Sequence, residues 1–163
     1  MIVKNKEWKN ATHGPVTPIS ANIVWNVSAL VLETNGRVSV RETGILQIPR
    51  FSAIIGDGSE SALLQFNGGT VSSDIKHDKL IADGFDVENI GTSSFAEHTL
   101  VIPDESSLKI GGDFTVGALI MGRTRIAAGD YTAAELGAVY GNVSGDGVVH
   151  VLGLTDGFAV TVR

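Results

Sequence analysis

The sequence predicts an all-β fold built from stacked repeats, on three observations. First, short apolar runs of about three to six residues end again and again at Gly or Asp-Gly, and runs of that length are strands rather than helices. Second, inward-facing apolar pairs recur at Val38/Val40, Leu64/Phe66, Phe85/Val87 and Leu108/Ile110, at offsets of about 21 to 26 residues, inside the window that marks stacked repeats. Third, one coil of that size cannot bury its own inward face, whereas a coil above and a coil below can. The spacing is irregular, so a β-sandwich or jelly roll is the competing architecture. Sandwich strands are usually longer, with connections less dense in Gly.

The elements follow in chain order. Residues 1–20 carry Lys4, Lys6, Lys9, Pro15 and Pro18. The prolines disfavour helix and remove backbone donors, so this stretch reads as an extended arm with an edge strand at Ile2-Val3. Residues 21–163 read as one β-solenoid domain. Its strand signal starts with Ile23-Val24-Trp25 and Ala29 to Glu33. Asn35-Gly36 is a tight-turn pair that tolerates positive φ. Arg37 to Arg41 alternates, with Val38 and Val40 inward, and Ile45 to Ile48 resumes after Gly44. Phe51 to Ile55, Ala62 to Phe66, Leu80 to Ala82, Phe85 to Val87, Thr99 to Ile102 and Ser107 to Ile110 each end at a Gly, Asp, Asn or Pro turn.

The stretch Gly111–Gly153 has the densest Gly punctuation. It contains one helical signal. Thr132-Ala133-Ala134-Glu135 has capping-box spacing, in which the hydroxyl and the carboxylate each accept from a backbone N–H at the helix start. The reading is one short helical turn over 132–136, ended by Gly137, with Leu136 pointing into the core. The terminal run Phe158 to Arg163 alternates strictly, with Phe158, Val160 and Val162 on one face.

Composition removes several function classes. A chain of 163 residues with 43% hydrophobic content is one domain with a core, and is not largely disordered. A net charge of −6 argues against nucleic acid, which needs a basic stripe over its phosphates, and against an anionic membrane surface. No apolar run reaches the length of a membrane span. Cysteine is absent, which excludes disulfides, thiolate metal sites and a cysteine nucleophile and leans toward an exported protein. The first residues lack the apolar core of a signal peptide. The chain therefore reads either as intracellular or as a mature or excised segment.

Ala128-Gly-Asp-Tyr-Thr-Ala-Ala-Glu-Leu136, followed by Val143-Ser-Gly-Asp-Gly-Val-Val-His-Val-Leu-Gly153, resembles the C-terminal coils of autotransporter-like and related sorting-signal-bearing bacterial surface proteins. Ser106 to Gly117 resembles the coil before them. The resemblance covers roughly residues 100–153. It implies a right-handed parallel β-helix, extracellular or on a cell surface, and brings no catalytic residues with it.

Candidate chemistry is sparse. Asp57, Asp74, Asp78, Asp83, Asp86, Asp104, Asp113, Asp130 and Asp146 supply hard oxygens for Ca²⁺, but Asp57, Asp83 and Asp146 precede Gly, where turn chemistry explains them. No calcium-binding repeat or EF-hand loop is present, so no cofactor is expected and calcium is the weak exception. His77 lies between Asp74 and Asp78, the arrangement of a general base with an orienting carboxylate; a solvated loop explains it equally. His13, His98 and His150 are scattered. A carbohydrate-active β-helix would line acids and a basic residue on one outer face, drawn from Arg37, Arg41, Glu33 and Glu42, or from Lys76, Lys79 and Asp83. Polar outer positions are expected on any soluble coil. The reading is a non-catalytic structural or surface scaffold, with a carbohydrate-binding or carbohydrate-active module as the alternative.

An open stack exposes an edge at each end, and such edges invite pairing. Ile2, Val3 and Trp8 of the arm, with Phe158, Val160 and Val162 of the terminal run, are the expected assembly residues. Joined head to tail they would give a homo-oligomer or filament. Trp8 is the expected aromatic anchor of that contact; the alternative is a monomer whose arm folds back as its own cap, with Trp8 packed within the chain.

Overall fold

The structure is a computed structural model that describes residues 2–3, 16–19, 24–26, 30–32, 37–41, 44–58 and 62–155. It begins with β1 (Ile2–Val3), β2 (Val16–Ile19), β3 (Val24–Asn26) and β4 (Leu30–Leu32). Next come β5 (Arg37–Arg41), β6 (Ile45–Ile48), a 3-10 turn at Phe51–Ala53, and β7 (Ile54–Gly56). The centre holds β8 (Leu63–Asn67), β9 (Thr70–Ser73), β10 (Lys79–Ile81), β11 (Asp86–Asn89) and the long β12 (Ser93–Ile102). After β13 (Leu108–Ile110) and β14 (Asp113–Met121) come β15 (Thr124–Arg125), β16 (Gly129–Thr132), α1 (Ala133–Tyr140), β17 (Val143–Gly145) and β18 (Val148–Val151).

The protein is mainly β, and its sheets are mostly parallel. One six-stranded sheet runs β17-β13-β11-β8-β5-β2, and every pairing in it is parallel. A second runs β10-β12-β14-β18-β16, with β15 beside β14. Two three-stranded sheets, β1-β4-β7 and β3-β6-β9, are also parallel. Among the described strands, antiparallel ladders are confined to β15 on β14 and β16 on β18, with one isolated antiparallel bridge between Arg41 and Gly68. A jelly roll is antiparallel throughout, so that alternative does not fit. Residues 107–117 pair in parallel on both sides, as expected. The ladder begins earlier than the Ala21 read from sequence, because Val16–Ile19 already pairs with β5.

Inward side chains stack in register from strand to strand. Val38, Leu64, Val87, Leu108 and Val143 form one row across the first six-stranded sheet. The first four are fully buried and Val143 nearly so. Each such side chain contributes about 1.5–3 kcal/mol relative to exposure. The next row is Val40, Phe66, Asn89 and Ile110, all at 0% exposure. Phe85 is buried as expected, but the third pair is Val87/Asn89 rather than Phe85/Val87. Gly84, at φ 74°, turns the chain so that Phe85 precedes β11. Asn89 then takes the inward place of an apolar residue, its amide donating to the Gly91 carbonyl at 2.7 Å. Rings fill the interior beside these rows: Phe51–Phe95, Phe95–Phe66 and Phe66–Phe114 have centroids 5.4, 5.6 and 5.1 Å apart.

Two strands are longer than the expected three to six residues. Gly117 reads in sequence as the end of a run, yet it lies inside β14. The register of β12 on β14 jumps from Phe95–Val116 to Thr99–Ala118, so Ala96, Glu97 and His98 bulge opposite Gly117. A Cβ at Gly117 would press on the carbonyl oxygens of Ala96 and His98. Glycine is what lets the two backbones pass.

The helix is also longer than the turn read over 132–136. Thr132 is its N-cap: Glu135 N donates to Thr132 Oγ1 at 3.2 Å, and Thr132 N donates to Glu135 Oε2 at 2.8 Å. Leu136 is buried as expected. Gly137 does not end the helix. A Cβ there would meet the Val143 carbonyl, so this glycine serves close packing of α1 on β17. The stop lies at Gly141, left-handed at φ 59°, whose N–H returns to the Gly137 carbonyl.

Candidate functional site

Three places on the described surface concentrate chemistry. The first is the outer face of the all-parallel six-stranded sheet. Strand alternation turns Ser39, Gln65, Glu88 and Lys109 away from the core, and the register sets them side by side. Ser39 Oγ donates to Gln65 Oε1 at 2.6 Å, and Gln65 Nε2 donates to Glu88 Oε2 at 2.7 Å. Lys109 Nζ lies 2.8 Å from Glu88 Oε1, and Arg37 reaches the same carboxylate at 3.9 Å. Burial pushes the Glu88 carboxyl up, but the hydrogen bonds from Lys109 and Gln65 and the charges of Lys109 and Arg37 outweigh it, so the net shift is downward. Asp86, on the same face, accepts from Ser107 N at 2.7 Å. Both carboxylates are thus held by neighbouring rows.

The second place is the corner at the β12 bulge. His98 is 5% exposed and sits between Phe51 and Phe95, with ring centroids 4.9 and 5.1 Å away. Its Nδ1 has no hydrogen-bond partner among the described residues. Desolvation lowers its pKa, and nearby His77 lowers it further, against the raising effect of Glu97 and Asp78. Asp78 Oδ2 accepts from Phe51 N and Ser73 Oγ, both at 2.7 Å, tying this corner together. A groove of about 320 Å³ opens alongside, between Thr70–Ser72 of β9 and Ser94–His98 of β12.

The third place lies beyond β17, the end strand of the all-parallel six-stranded sheet among the described strands. There β16 pairs with the outer edge of β18, and α1 packs on β17 and β16. A groove of about 400 Å³ runs along α1, lined by Ile126, Tyr131, Leu136, Val139 and Tyr140 with Arg125 at its edge. Val139 is 71% exposed. Across the antiparallel pair, His150 Nδ1 and Asp130 Oδ1 are 2.8 Å apart.

The residues singled out from sequence land as follows. Ile2 and Val3 form β1, paired with Val31 and Leu32 at the edge of their sheet. Trp8, Phe158, Val160 and Val162 lie outside the described residues, as do Glu33 and Glu42. His77 is not assembled with an orienting carboxylate: Asp78 is engaged with Phe51, Ser73 and Lys79, and Asp74 accepts from Gln47. His77 itself adopts φ 63° in the loop. Among the described residues, no group of three or more His, Asp or Glu side chains is placed to hold a metal ion, and no helix is long and apolar enough to cross a membrane.

Sequence reasoning named Arg37 on the first face but not Gln65, Glu88 or Lys109, and it missed the other two places. A signal for the bulge exists. Inward residues run odd through Ser93 and Phe95, then even through His98, Leu100 and Ile102. A change of parity inside a strand means an irregular step. The groove at α1 has no comparable signal, because the helix was read as a single turn.

No family model, no curated protein and no solved structure matches this chain.

Proposed function

We propose that the chain forms a right-handed parallel β-helix and serves as a non-catalytic structural scaffold, extracellular or on a cell surface, that joins head to tail with further copies. One observation carries the reading. Successive stretches of chain feed the same ladders in turn: β2, β3 and β4 are followed by β5, β6 and β7, with β2 pairing β5, β3 pairing β6 and β4 pairing β7, and β5 and β6 pair in turn with β8 and β9. Each coil covers the inward face of the one before it, as a stack requires. The outer polar row supports the same role, since Glu88 and Asp86 are bound by adjacent rows rather than arranged around an open cleft. Among the described strands β1 is the end strand of its sheet, and an unpaired strand edge invites pairing with another copy.

A second reading keeps one specific observation. The β9–β12 groove presents the side chains of Thr70, Ser72, Ser94 and Glu97 beside Phe95, a set suited to hydroxyl-rich ligands. That favours a carbohydrate-binding module.

Sedimentation of the purified chain over a wide concentration range, paired with a glycan array, separates the two. The scaffold reading expects reversible association and no saccharide binding. A monomer that binds a defined saccharide, and loses it on Glu97→Ala, would replace it with the second reading.

A further inference from the structure

We infer that the groove along α1 is a docking site for the N-terminal arm of a second copy, with Trp8 as the inserted side chain. The proposal rests on the self-assembly reading and names its contact.

Reach decides which copy supplies the arm. Val3 is held beside Leu32 in the β1 ladder, and Val16 beside Arg37 in the β2 ladder. Both anchors sit at one end of the sheets. A fully extended chain from Val3 brings Trp8 no more than about 17 Å away. The groove lies past β17, the opposite edge of the sheet that begins with β2. Five strand spacings separate those edges, about 24 Å. An arm anchored at Val3 falls short of its own groove. The groove of a copy stacked on the β1 end is within reach.

The chemistry of the groove fits the same occupant. Its walls are Ile126, Tyr131, Leu136, Val139 and Tyr140, and an indole is the side chain that brings most apolar area to such a slot. Val139 stands 71% exposed on the open wall of α1, an apolar side chain that the chain's own described residues leave uncovered. Charge agrees as well. Lys4, Lys6 and Lys9 flank Trp8 in a chain of net charge −6. The rim of the groove carries Glu135, with Asp130 beside Tyr131 and 76% exposed. Arg125, the one cation among the described residues of the wall, donates to the Leu154 carbonyl. One end of each copy supplies the arm and the other supplies the groove, so the contact is heterologous and propagates.

The chain has no cysteine, which makes cross-linking unambiguous. Lys9→Cys protein, which keeps Trp8, is mixed with Val139→Cys protein under mild oxidation. The expected product is a covalent dimer containing one of each, absent when Ile55→Cys, an exposed site on β7, replaces Val139→Cys. Val139→Asp, at an exposed helix position, and Trp8→Ala should each weaken association at least tenfold by sedimentation. A double Lys9→Cys/Val139→Cys chain that closes on itself as a cross-linked monomer overturns the proposal. So does association that persists with no Lys9–Val139 cross-link, which leaves head-to-tail assembly standing through another contact. A protein that is monomeric at every concentration overturns both.

Discussion

Lys109 Nζ sits 2.8 Å from Glu88 Oε1 across the β11–β13 ladder, while Gln65 on the other flank donates to Glu88 Oε2 at 2.7 Å. One carboxylate thereby joins three consecutive strands of the sheet, β8, β11 and β13. Its side chain is 11% exposed, so removing one partner leaves a largely desolvated charge short of compensation. Lys109→Met should destabilise the fold by about 1–2 kcal/mol in urea unfolding at pH 7, less than for a fully buried pair because Lys109 itself is mostly exposed.

The same group sets an acid limb. The Glu88 pKa is lowered in the fold, so the unfolded chain binds the proton more readily. Its contribution is present above the ordinary carboxyl range and is lost as pH falls through the lowered folded value. Glu88→Gln should be less stable than the parent at pH 7, and the difference should shrink at about pH 3. Urea midpoints at the two pH values check this.

His98 predicts a second limb at milder pH. Its pKa is lowered by burial between Phe51 and Phe95, so the unfolded state takes up the proton first. Stability is full above the ordinary histidine value of about 6.5. It declines as pH falls from there toward the lowered folded value. The melting temperature should drop between pH 7.5 and 5.5, and His98→Leu should flatten that part of the profile.

The helix cap gives a local test. Thr132→Ala removes the oxygen that accepts from Glu135 N and should cost about 1 kcal/mol. Gly141→Ala forces a side chain into φ 59° and should cost a comparable amount. Thermal unfolding of both variants measures this directly, and an unchanged midpoint for Thr132→Ala would count against the cap.

Much of this architecture is legible in the residues, for physical reasons that also show where legibility stops. Val38/Val40, Leu64/Phe66 and Leu108/Ile110 announce themselves because alternation exposes one face and buries the other. Asn89 breaks that signal: an inward amide looks like a turn residue until its bond to the Gly91 carbonyl is seen. Gly117 and Gly137 look like punctuation because glycine favours turns. Both in fact sit where another backbone approaches too closely for a Cβ, a tertiary fact with no local signature. Arg37 and Ser39 read as outward from alternation, but the polar row Ser39–Gln65–Glu88–Lys109 depends on registers between strands joined by stretches of unequal length, offset by 26 residues and then 23. Of the expected assembly residues, Ile2 and Val3 are edge-strand residues in the structure.

Stacking in register is the centre of the account, and disulfide trapping measures it most directly. Ser94 and Thr115 are neighbours across β12–β14, and Thr115 and His150 across β14–β18. Adjacent strands lie about 4.8 Å apart, within the Cα separation a disulfide accepts, while strands two rows apart lie beyond it. The stacked fold predicts that Ser94→Cys/Thr115→Cys and Thr115→Cys/His150→Cys each close within one chain under mild oxidation, and that Ser94→Cys/His150→Cys does not. Closure of Ser94→Cys/His150→Cys, with the two in-register pairs remaining reduced, would contradict it.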